Sequence, residues 1–125
     1  MQEIDLHTVK KLLNSNSLSL TATQGALCLP ILQRIYKKMK IGIQFGGIQV
    51  KGSRIVNGHH RYICSQLVKI EIEQIEWEIP KSAMDHEWSK INIVEEDYED
   101  EDQIKEHNKR DAELNGVDES TFDDL

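Results

Sequence analysis

The sequence predicts an α+β fold, in which a small mixed β-sheet is packed by helices and an acidic segment follows the domain. Three observations lead to this prediction. Apolar residues recur at helical spacing in some stretches and alternate in others, the 125 residues suit one modest core, and the charge changes sign along the chain. We therefore expect a domain over residues 1–94 and an acidic tail over residues 95–125.

The first two elements are predicted from loop-forming residues and apolar spacing. The opening run QEIDLHTVKKLLNSNSLSL predicts a short strand or helix, followed by a Ser/Asn-rich loop at residues 14–19. Pro30 suits the first turn of a helix, and apolar residues then recur at helical spacing up to Met39. Gly42 ends this helix.

A β-hairpin is predicted next. The runs IQFGGIQV and RIV are rich in residues that favour strands, and the three residues 51–53 join them. Gly52 supplies the unusual backbone angle that such a short connection needs. The two strands are therefore expected to pair in antiparallel orientation.

A second helix and a last strand complete the predicted domain. Apolar residues at helical spacing predict a helix that begins at His59 or His60 and ends near Ile70. Residues 75–79 alternate between apolar side chains and glutamates, which is typical of a half-buried strand. This alternation places Trp77 in the core, and Pro80 ends the strand.

The charge is distributed unevenly along the chain. No Asp or Glu occurs from residue 6 to residue 70, where ten lysines and arginines give a charge of +10, whereas residues 95–125 hold 14 acids against three bases and carry −11. Solvated surfaces normally mix both signs, so the basic segment predicts a positive face for an anion, either phosphate or nucleic acid. The alternative is that the basic segment only balances the acidic tail.

Two parts of this charge pattern have specific interpretations. Lys37, Lys38 and Lys40 can follow a nucleic-acid backbone, or they can form an ordinary solvated helix face. The tail has dense charge and few large apolar residues, which predicts disorder or an isolated helix near residues 103–114. If the tail folds back, it covers the basic face as a mimic of nucleic acid.

The run RIVNGHHRY, residues 54–62, carries the main candidate for a functional site. A strand that turns at Gly58 into a helix exposes unpaired backbone N–H groups, which bind anions. Gly58 lets the backbone approach a phosphate closely, and Arg61 offers a planar fork of donors. His59 and His60 lie in the first helical turn, where an imidazole can donate or accept a proton or receive a phosphoryl group. The alternative is a polar structural turn.

The stretch from about residue 30 to residue 79 resembles the core of the ParB/sulfiredoxin superfamily. The similarity lies in ILQRIYKKMKIG, IQV, RIVNGHHRY and IEQIEWEI, and it is close at the residue level only in VNGHHRY. It implies a helix, a short strand, a strand ending in an aspartate or asparagine plus glycine, a basic helix start and a final strand. The expected fold is therefore a small ParB/sulfiredoxin-like domain over residues 1–94.

The superfamily's site residues match this chain in part. In sulfiredoxins the corresponding turn is Gly-Cys-His-Arg. Gly58, His60 and Arg61 match it, but His59 replaces the redox cysteine, so sulfiredoxin activity is not expected. In ParB proteins the turn Gly-Glu-Arg-Arg binds CTP. Gly58 and Arg61 match this turn, whereas His59 replaces the acid that helps hydrolysis and His60 replaces an arginine. Related free-serine kinases also rely on an acid at this turn.

The resemblance implies phosphate-ester chemistry, of the kind found in ParB-like nucleases, some of which are toxin domains. A DNase is therefore expected, with His59 and His60 as its catalytic residues. The expected phosphate-binding residues are Gly58, Arg61, Arg54 and Lys51. A divalent metal, Mg²⁺ or Mn²⁺, is the cofactor considered for this chemistry, and no metal ligand is assigned to it.

Several alternatives stay open at this point. The domain can be a non-catalytic module that binds DNA or a nucleotide, an NTP-hydrolysing or phosphotransfer domain, or a toxin module held by an immunity or regulatory protein. The sequence has no run of about 20 apolar residues and no basic-then-apolar leader, so no membrane contact is expected. The expected location is the cytoplasm or, for a toxin, secretion within a larger chain.

A few residues outside the main motif have weaker interpretations. Asp85, His86 and Glu87 can supply metal ligands to a site shared with the two histidines of the turn. Cys28 and Cys64 lack the spacing of a metal or redox pair and are expected to be buried thiols.

Two aromatic residues and two further histidines complete the set of residues considered. Tyr62 is expected to line the pocket or to pack in the core, and Trp88 is expected to pack on the domain or to stack on a base. His7 and His107 are expected at the surface.

Overall fold

The computed structural model describes residues 3–125 and contains four α-helices, five β-strands and two short 3₁₀ helices within that range. The α+β class is confirmed. In chain order the elements are α1 (Leu6–Leu13), β1 (Ala26–Cys28), α2 (Leu29–Lys40), β2 (Ile48–Lys51), β3 (Arg54–Asn57), α3 (His59–Val68), β4 (Gln74–Glu76), a 3₁₀ helix (Trp88–Lys90), β5 (Asn92–Val94), α4 (Glu101–Asn115) and a second 3₁₀ helix (Glu119–Phe122).

The strands form a mixed three-stranded sheet and a separate parallel pair. The sheet has the order β3-β2-β4, with β2 antiparallel to β3 and parallel to β4, and β1 pairs with β5. The predicted hairpin is present, but its connection has two residues rather than three. The reason is that Lys51 pairs with Arg54 inside the ladder, which leaves Gly52 and Ser53 as the turn.

The opening segment forms a helix, which decides between the two predicted alternatives. Asp5 caps α1, because its carboxylate accepts a hydrogen bond from the Thr8 backbone N–H at 2.8 Å. Val9 and Leu13 are buried on one side of α1. Residues 14–19 form the predicted loop, which leads the chain toward β1.

Helices α2 and α3 pack against each other and enclose most of the core. Leu32, Tyr36 and Met39 of α2 are buried, as the helical spacing predicts. The two cysteines are free and buried, which confirms the prediction of buried thiols. Their burial beside α2 and α3 makes them part of the core packing.

The prediction for the last strand is wrong in one respect. Strand β4 forms, but all three of its residues are exposed, and Trp77 is 51% exposed instead of lying in the core. The physical reason is that β4 is an edge strand, paired on one side with β2. Alternating apolar residues indicate an extended chain, but they do not show whether another element covers the apolar face.

The acidic tail forms an ordered helix that folds back on the domain. A reciprocal capping box begins α4: the Asp100 carboxylate accepts from the Gln103 N–H, and the Gln103 side chain accepts from the Asp100 N–H. Ala112 and Phe122 pack with Ile43 in a second, small apolar cluster. In the described part of the chain, no helix has the length and apolar character needed to cross a membrane.

The position of Gly58 between β3 and α3 makes a stability prediction. Gly58 has φ +105°, and a Cβ added there would lie 2.6 Å from Cγ2 of buried Ile48. Gly52 also has positive φ, at +60°, but a Cβ added there meets open space. We expect Gly52→Ala to lower the free energy of unfolding by about 1 kcal/mol through backbone strain. Gly58→Ala should lower the free energy of unfolding by roughly 1–3 kcal/mol more than Gly52→Ala does, because the added methyl group overpacks the core beside Ile48.

Urea unfolding of both variants, followed by circular dichroism, measures this difference. Gly52→Ala is the matched control, since it carries the same change of residue without the steric contact. Equal losses in the two variants would show that Gly58 is not held against Ile48.

Candidate functional site

The start of helix α3 has backbone donors that the helix itself does not pair. Gly58 adopts a left-handed conformation (φ +105°, ψ 26°) that turns β3 directly into α3, and no described side chain caps this helix end. The first helical bond joins the Tyr62 N–H to the Gly58 carbonyl at 2.9 Å. The four preceding N–H groups, at residues 58–61, therefore have no acceptor within the helix.

A cavity of about 490 Å³ lies in front of this helix end. Residues 57–61 form one wall of the cavity, and Arg34 and Lys38 of α2 form another. The acidic tail contributes a third wall, which includes Glu99 and Asp111. The predicted Gly-His-His-Arg turn therefore lines a cavity that is also lined by basic and acidic side chains from distant parts of the sequence.

His59 is a buried residue that ties the start of α3 to the segment before β1. Its Nε2 accepts a hydrogen bond from the Thr23 backbone N–H at 2.9 Å, and its ring lies 6.3 Å, centroid to centroid, from the ring of Trp88. Burial, with lesser contributions from His60 and His86, lowers the pKa of His59 from 6.5 to about 4. His59 is therefore neutral at pH 7.

His60 makes a parallel contact to β1. Its Nε2 accepts a hydrogen bond from the Cys28 backbone N–H at 2.9 Å. Burial lowers the pKa of His60 to about 4 as well, and the nearby Glu99 carboxylate opposes this shift. The two adjacent histidines thus hold two separate backbone amides, one before β1 and one at the last residue of β1.

These contacts determine the tautomer of both rings. A backbone amide can only donate, so each Nε2 must carry the lone pair and each neutral ring must carry its proton on Nδ1. The hydrogen bonds described for His59 and His60 are all at Nε2. Every fully buried side-chain nitrogen or oxygen in the described residues has a hydrogen-bond partner. Each ring can therefore donate a hydrogen bond, while its lone pair is already used.

Arg61 is held against the backbone beside Gly58. Its Nη1 donates to the carbonyls of Gly46 at 2.9 Å and Gly47 at 3.2 Å, and its Nη2 lies 2.9 Å from the position of a Cβ at Gly58. Burial lowers the pKa of Arg61, and the Asp111 carboxylate opposes that effect. The guanidinium keeps its charge at neutral pH because its ordinary pKa is above 12. Its Nη2 and Nε groups remain as donors next to the free amides.

The structure brings one of the three predicted α2 lysines to this cavity. Lys38 lines it, and its Nζ lies 2.7 Å from the Asp111 carboxylate. Lys37 pairs with Glu3 at 2.9 Å, and the ammonium group of Lys40 lies 5.9 Å from the centre of the Tyr36 ring. The three lysines thus have separate partners.

The other two basic residues predicted to hold phosphate lie elsewhere. Arg54 donates through Nε to the Asp85 carboxylate at 2.6 Å and through Nη2 to the Ala83 carbonyl at 3.2 Å. Lys51 is half exposed and lies 3.7 Å from the Glu76 carboxylate. Neither Arg54 nor Lys51 is among the residues that line the cavity at α3.

Tyr62 and Trp88 have packing roles. The Tyr62 hydroxyl accepts from the backbone N–H groups of Ser19 and Leu20, and the Trp88 indole N–H donates to the Leu20 carbonyl. Tyr62 is buried, and Trp88 packs against the core. Both residues therefore follow the packing alternative. Within residues 3–125, no group of three or more His, Cys, Asp or Glu side chains is arranged to hold a metal ion.

Sequence reasoning missed several residues of the cavity. Arg34 donates to Asp97 at 2.5 and 2.8 Å and to Glu99 at 2.7 Å, and His107 lies 2.6 Å from the second oxygen of Glu99. Arg34 belongs to the acid-free segment, which was the one available signal. Its partners lie more than 60 residues away in the acidic tail, so the pairing has no local pattern.

Comparisons with known proteins place this chain in no family. No protein-family model matches the sequence, and no curated protein or solved structure is significantly similar to it. The similarity to the ParB/sulfiredoxin superfamily therefore stays a prediction that depends on the motif around Gly58.

The buried histidines predict a specific loss of stability in mild acid. Their pKa values of about 4 in the folded protein lie below the ordinary value of 6.5, so the unfolded chain binds more protons between these pH values. The contribution of the two neutral rings to the free energy of unfolding is complete above pH 6.5 and is lost as the pH falls toward 4. We expect a slope of up to about 1.4 kcal/mol per pH unit for each histidine.

Urea unfolding at several pH values from 4.5 to 7.5 measures this slope. The variant carrying His59→Gln and His60→Gln should lose most of it, since a glutamine carbonyl can accept the same amides but does not titrate there. His7→Gln, at an exposed position, is the control and should keep the slope. A steep slope in the double variant would show that other groups cause the acid sensitivity.

Proposed function

We propose that this protein binds a nucleotide through its phosphate groups in the cavity at the start of α3. The observation that carries the proposal is the set of four backbone N–H groups at residues 58–61, which have no acceptor within the helix and no side-chain cap, beside the anchored guanidinium of Arg61. Helix N-termini of this kind favour anions through both their free N–H groups and the helix dipole. The absence of a side chain at Gly58 lets the Arg61 guanidinium lie against the backbone beside these amides.

The histidines support binding more directly than they support catalysis. Each ring is neutral and carries its proton on Nδ1, and both residues line the cavity, so each can donate to a phosphate oxygen. A general base or a nucleophile needs a free lone pair. In His59 and His60 that lone pair accepts a backbone amide, and proton transfer at Nε2 would require breaking the bond to Thr23 or Cys28.

The dimensions and the charge of the cavity favour a small ligand over duplex DNA. A volume of about 490 Å³ lies within the range of about 300–1,000 Å³ that small-molecule sites occupy. Duplex recognition needs a row of cations that can contact successive phosphates. On α2, however, Lys38 lines the cavity, whereas Lys37 and Lys40 lie outside it.

A nuclease of the ParB-like type is the second candidate. His59 lines the cavity next to the amides that would hold a phosphate, and a catalytic acid, base or nucleophile must lie at such a position. Cleavage through His59 requires that the ring release the Thr23 amide when substrate binds. The toxin interpretation depends on this second candidate, because a toxin of this kind must cleave or modify its target.

Arg61→Gln tests the binding proposal. Loss of the charged donor should weaken binding of ATP, CTP or GTP about 10- to 100-fold, which corresponds to a charge-assisted hydrogen bond of roughly 1.5–3 kcal/mol. Arg54→Gln is the matched control, because it makes the same change at an arginine that does not line the cavity. Isothermal titration calorimetry measures both affinities. Equal affinity in the two variants, or stronger weakening by Arg54→Gln, would contradict the proposed site.

Incubation with nucleic acids and nucleoside triphosphates separates the two candidates. The binding proposal predicts no product from DNA, RNA or any triphosphate in the presence of Mg²⁺ or Mn²⁺. Product formation by the natural sequence that is lost in His59→Ala would support the nuclease instead. Loss of cell viability on expression, relieved by His59→Ala, would extend that result to a toxin.

A further inference from the structure

Carboxylates of the acidic tail occupy the cations that line the cavity. Asp97 and Glu99 bind the guanidinium of Arg34, and Asp111 binds the ammonium group of Lys38 at 2.7 Å. The Lys38 side chain is only 7% exposed, so this pair is largely removed from water. An incoming phosphate therefore meets two cations that are already neutralised within the chain.

Asp111 also acts on the proposed phosphate-binding group itself. Its carboxylate raises the pKa of Arg61 against the effect of burial. Asp111 lines the same cavity as Arg61 and the free amides of α3. One carboxylate of the tail thus lies within electrostatic reach of both Lys38 and Arg61.

Helix α4 is attached to the domain mainly by polar contacts. Ala112 is its buried residue, and the apolar cluster that holds the tail consists of Ala112, Phe122 and Ile43 with partly buried neighbours. Asn115 adds hydrogen bonds to the backbone N–H and carbonyl of Gln44. A helix held in this way can separate from the domain without exposing the main core.

We propose that α4 is a built-in competitor for the phosphate site, so that ligand binding at Lys38 and Arg34 displaces Asp111 and Glu99 and releases the helix. This inference rests on the proposed function, because it concerns the regulation of the same site. An ionised carboxylate cannot donate a hydrogen bond to a phosphate, and the two anions repel each other at close range. The tail and the ligand therefore exclude each other at these cations.

The competition reduces the apparent affinity for the ligand. When a fraction of the molecules has the tail displaced, the measured dissociation constant equals the intrinsic one divided by that fraction. Weakening the contact between α4 and Lys38 raises the competent fraction. A variant that removes the negative charge of Asp111 should therefore bind phosphate ligands more tightly than the natural sequence does.

Asp111→Asn in the full chain tests this inference, with pyrophosphate and ATP as probes. Asparagine has the same shape and keeps an oxygen that can accept from Lys38, but it carries no charge. Asp102→Asn is the matched control, because Asp102 is an exposed acid in the first turn of the same helix. We expect Asp111→Asn to tighten binding about ten-fold. Asp102→Asn should leave the affinity unchanged.

Hydrogen exchange of α4 provides a second, independent measurement. Addition of pyrophosphate to the natural sequence should speed exchange of the amides in residues 101–115 and slow exchange at the start of α3. Protection of both regions would overturn the inference, since it would mean that α4 closes over the ligand. If Asp111→Asn fails to fold, Glu99→Gln with Glu101→Gln as control makes the same comparison at Arg34.

The results separate this inference from the proposed function. If the natural sequence binds pyrophosphate or ATP, and Asp111→Asn and Asp102→Asn bind with equal affinity, the proposed competition by α4 is wrong. The proposed phosphate site is then still supported. Absence of binding in the natural sequence and in both variants overturns the phosphate site and the competition together.

Discussion

The left-handed backbone at Gly58 is the constraint on which the rest of the site depends. Because φ is +105° there, β3 passes into α3 without a connecting loop, and the next two residues accept the backbone amides of Thr23 and Cys28. A side chain at position 58 would collide with Ile48 and with Arg61. The same glycine therefore determines where the helix begins, leaves its first amides open and makes room for the guanidinium. Three properties of the site follow from one backbone conformation.

The two histidines show how a residue type that suits catalysis can serve as a structural acceptor. Thr23 and Cys28 each present a backbone N–H that would otherwise lack a partner near the core, and each imidazole accepts one of them. Burial then keeps both rings neutral, since protonation would place a charge in a poorly solvated position and would remove the acceptor. Anchoring also fixes the orientation of the rings, so that any donation from Nδ1 comes from a preorganised group.

Local patterns predicted the elements that depend on local chemistry, and they failed where a distant partner decides the outcome. The helix after Pro30 and the helix start at His59 follow from apolar spacing and from glycine, so both could be predicted from the local sequence. The exposure of Trp77 depends on whether another element covers β4, which no window of sequence contains. In the site, the position of Gly58 at the turn from β3 into α3 was predictable, but the amide held by His59 comes from a residue 36 positions earlier. Such contacts are properties of the tertiary structure.

The uneven charge along the chain has a physical explanation in the folded protein. Lys38 is buried, and a buried ammonium group needs a nearby anion to offset the loss of hydration. The acid-free segment contains none, so the anion must come from outside it, and Asp111 of the tail supplies it. The balance between the two segments and a positive face for an anion are therefore compatible interpretations. The tail neutralises the cations that line the cavity at the start of α3, and in the proposed function a phosphate uses these same cations.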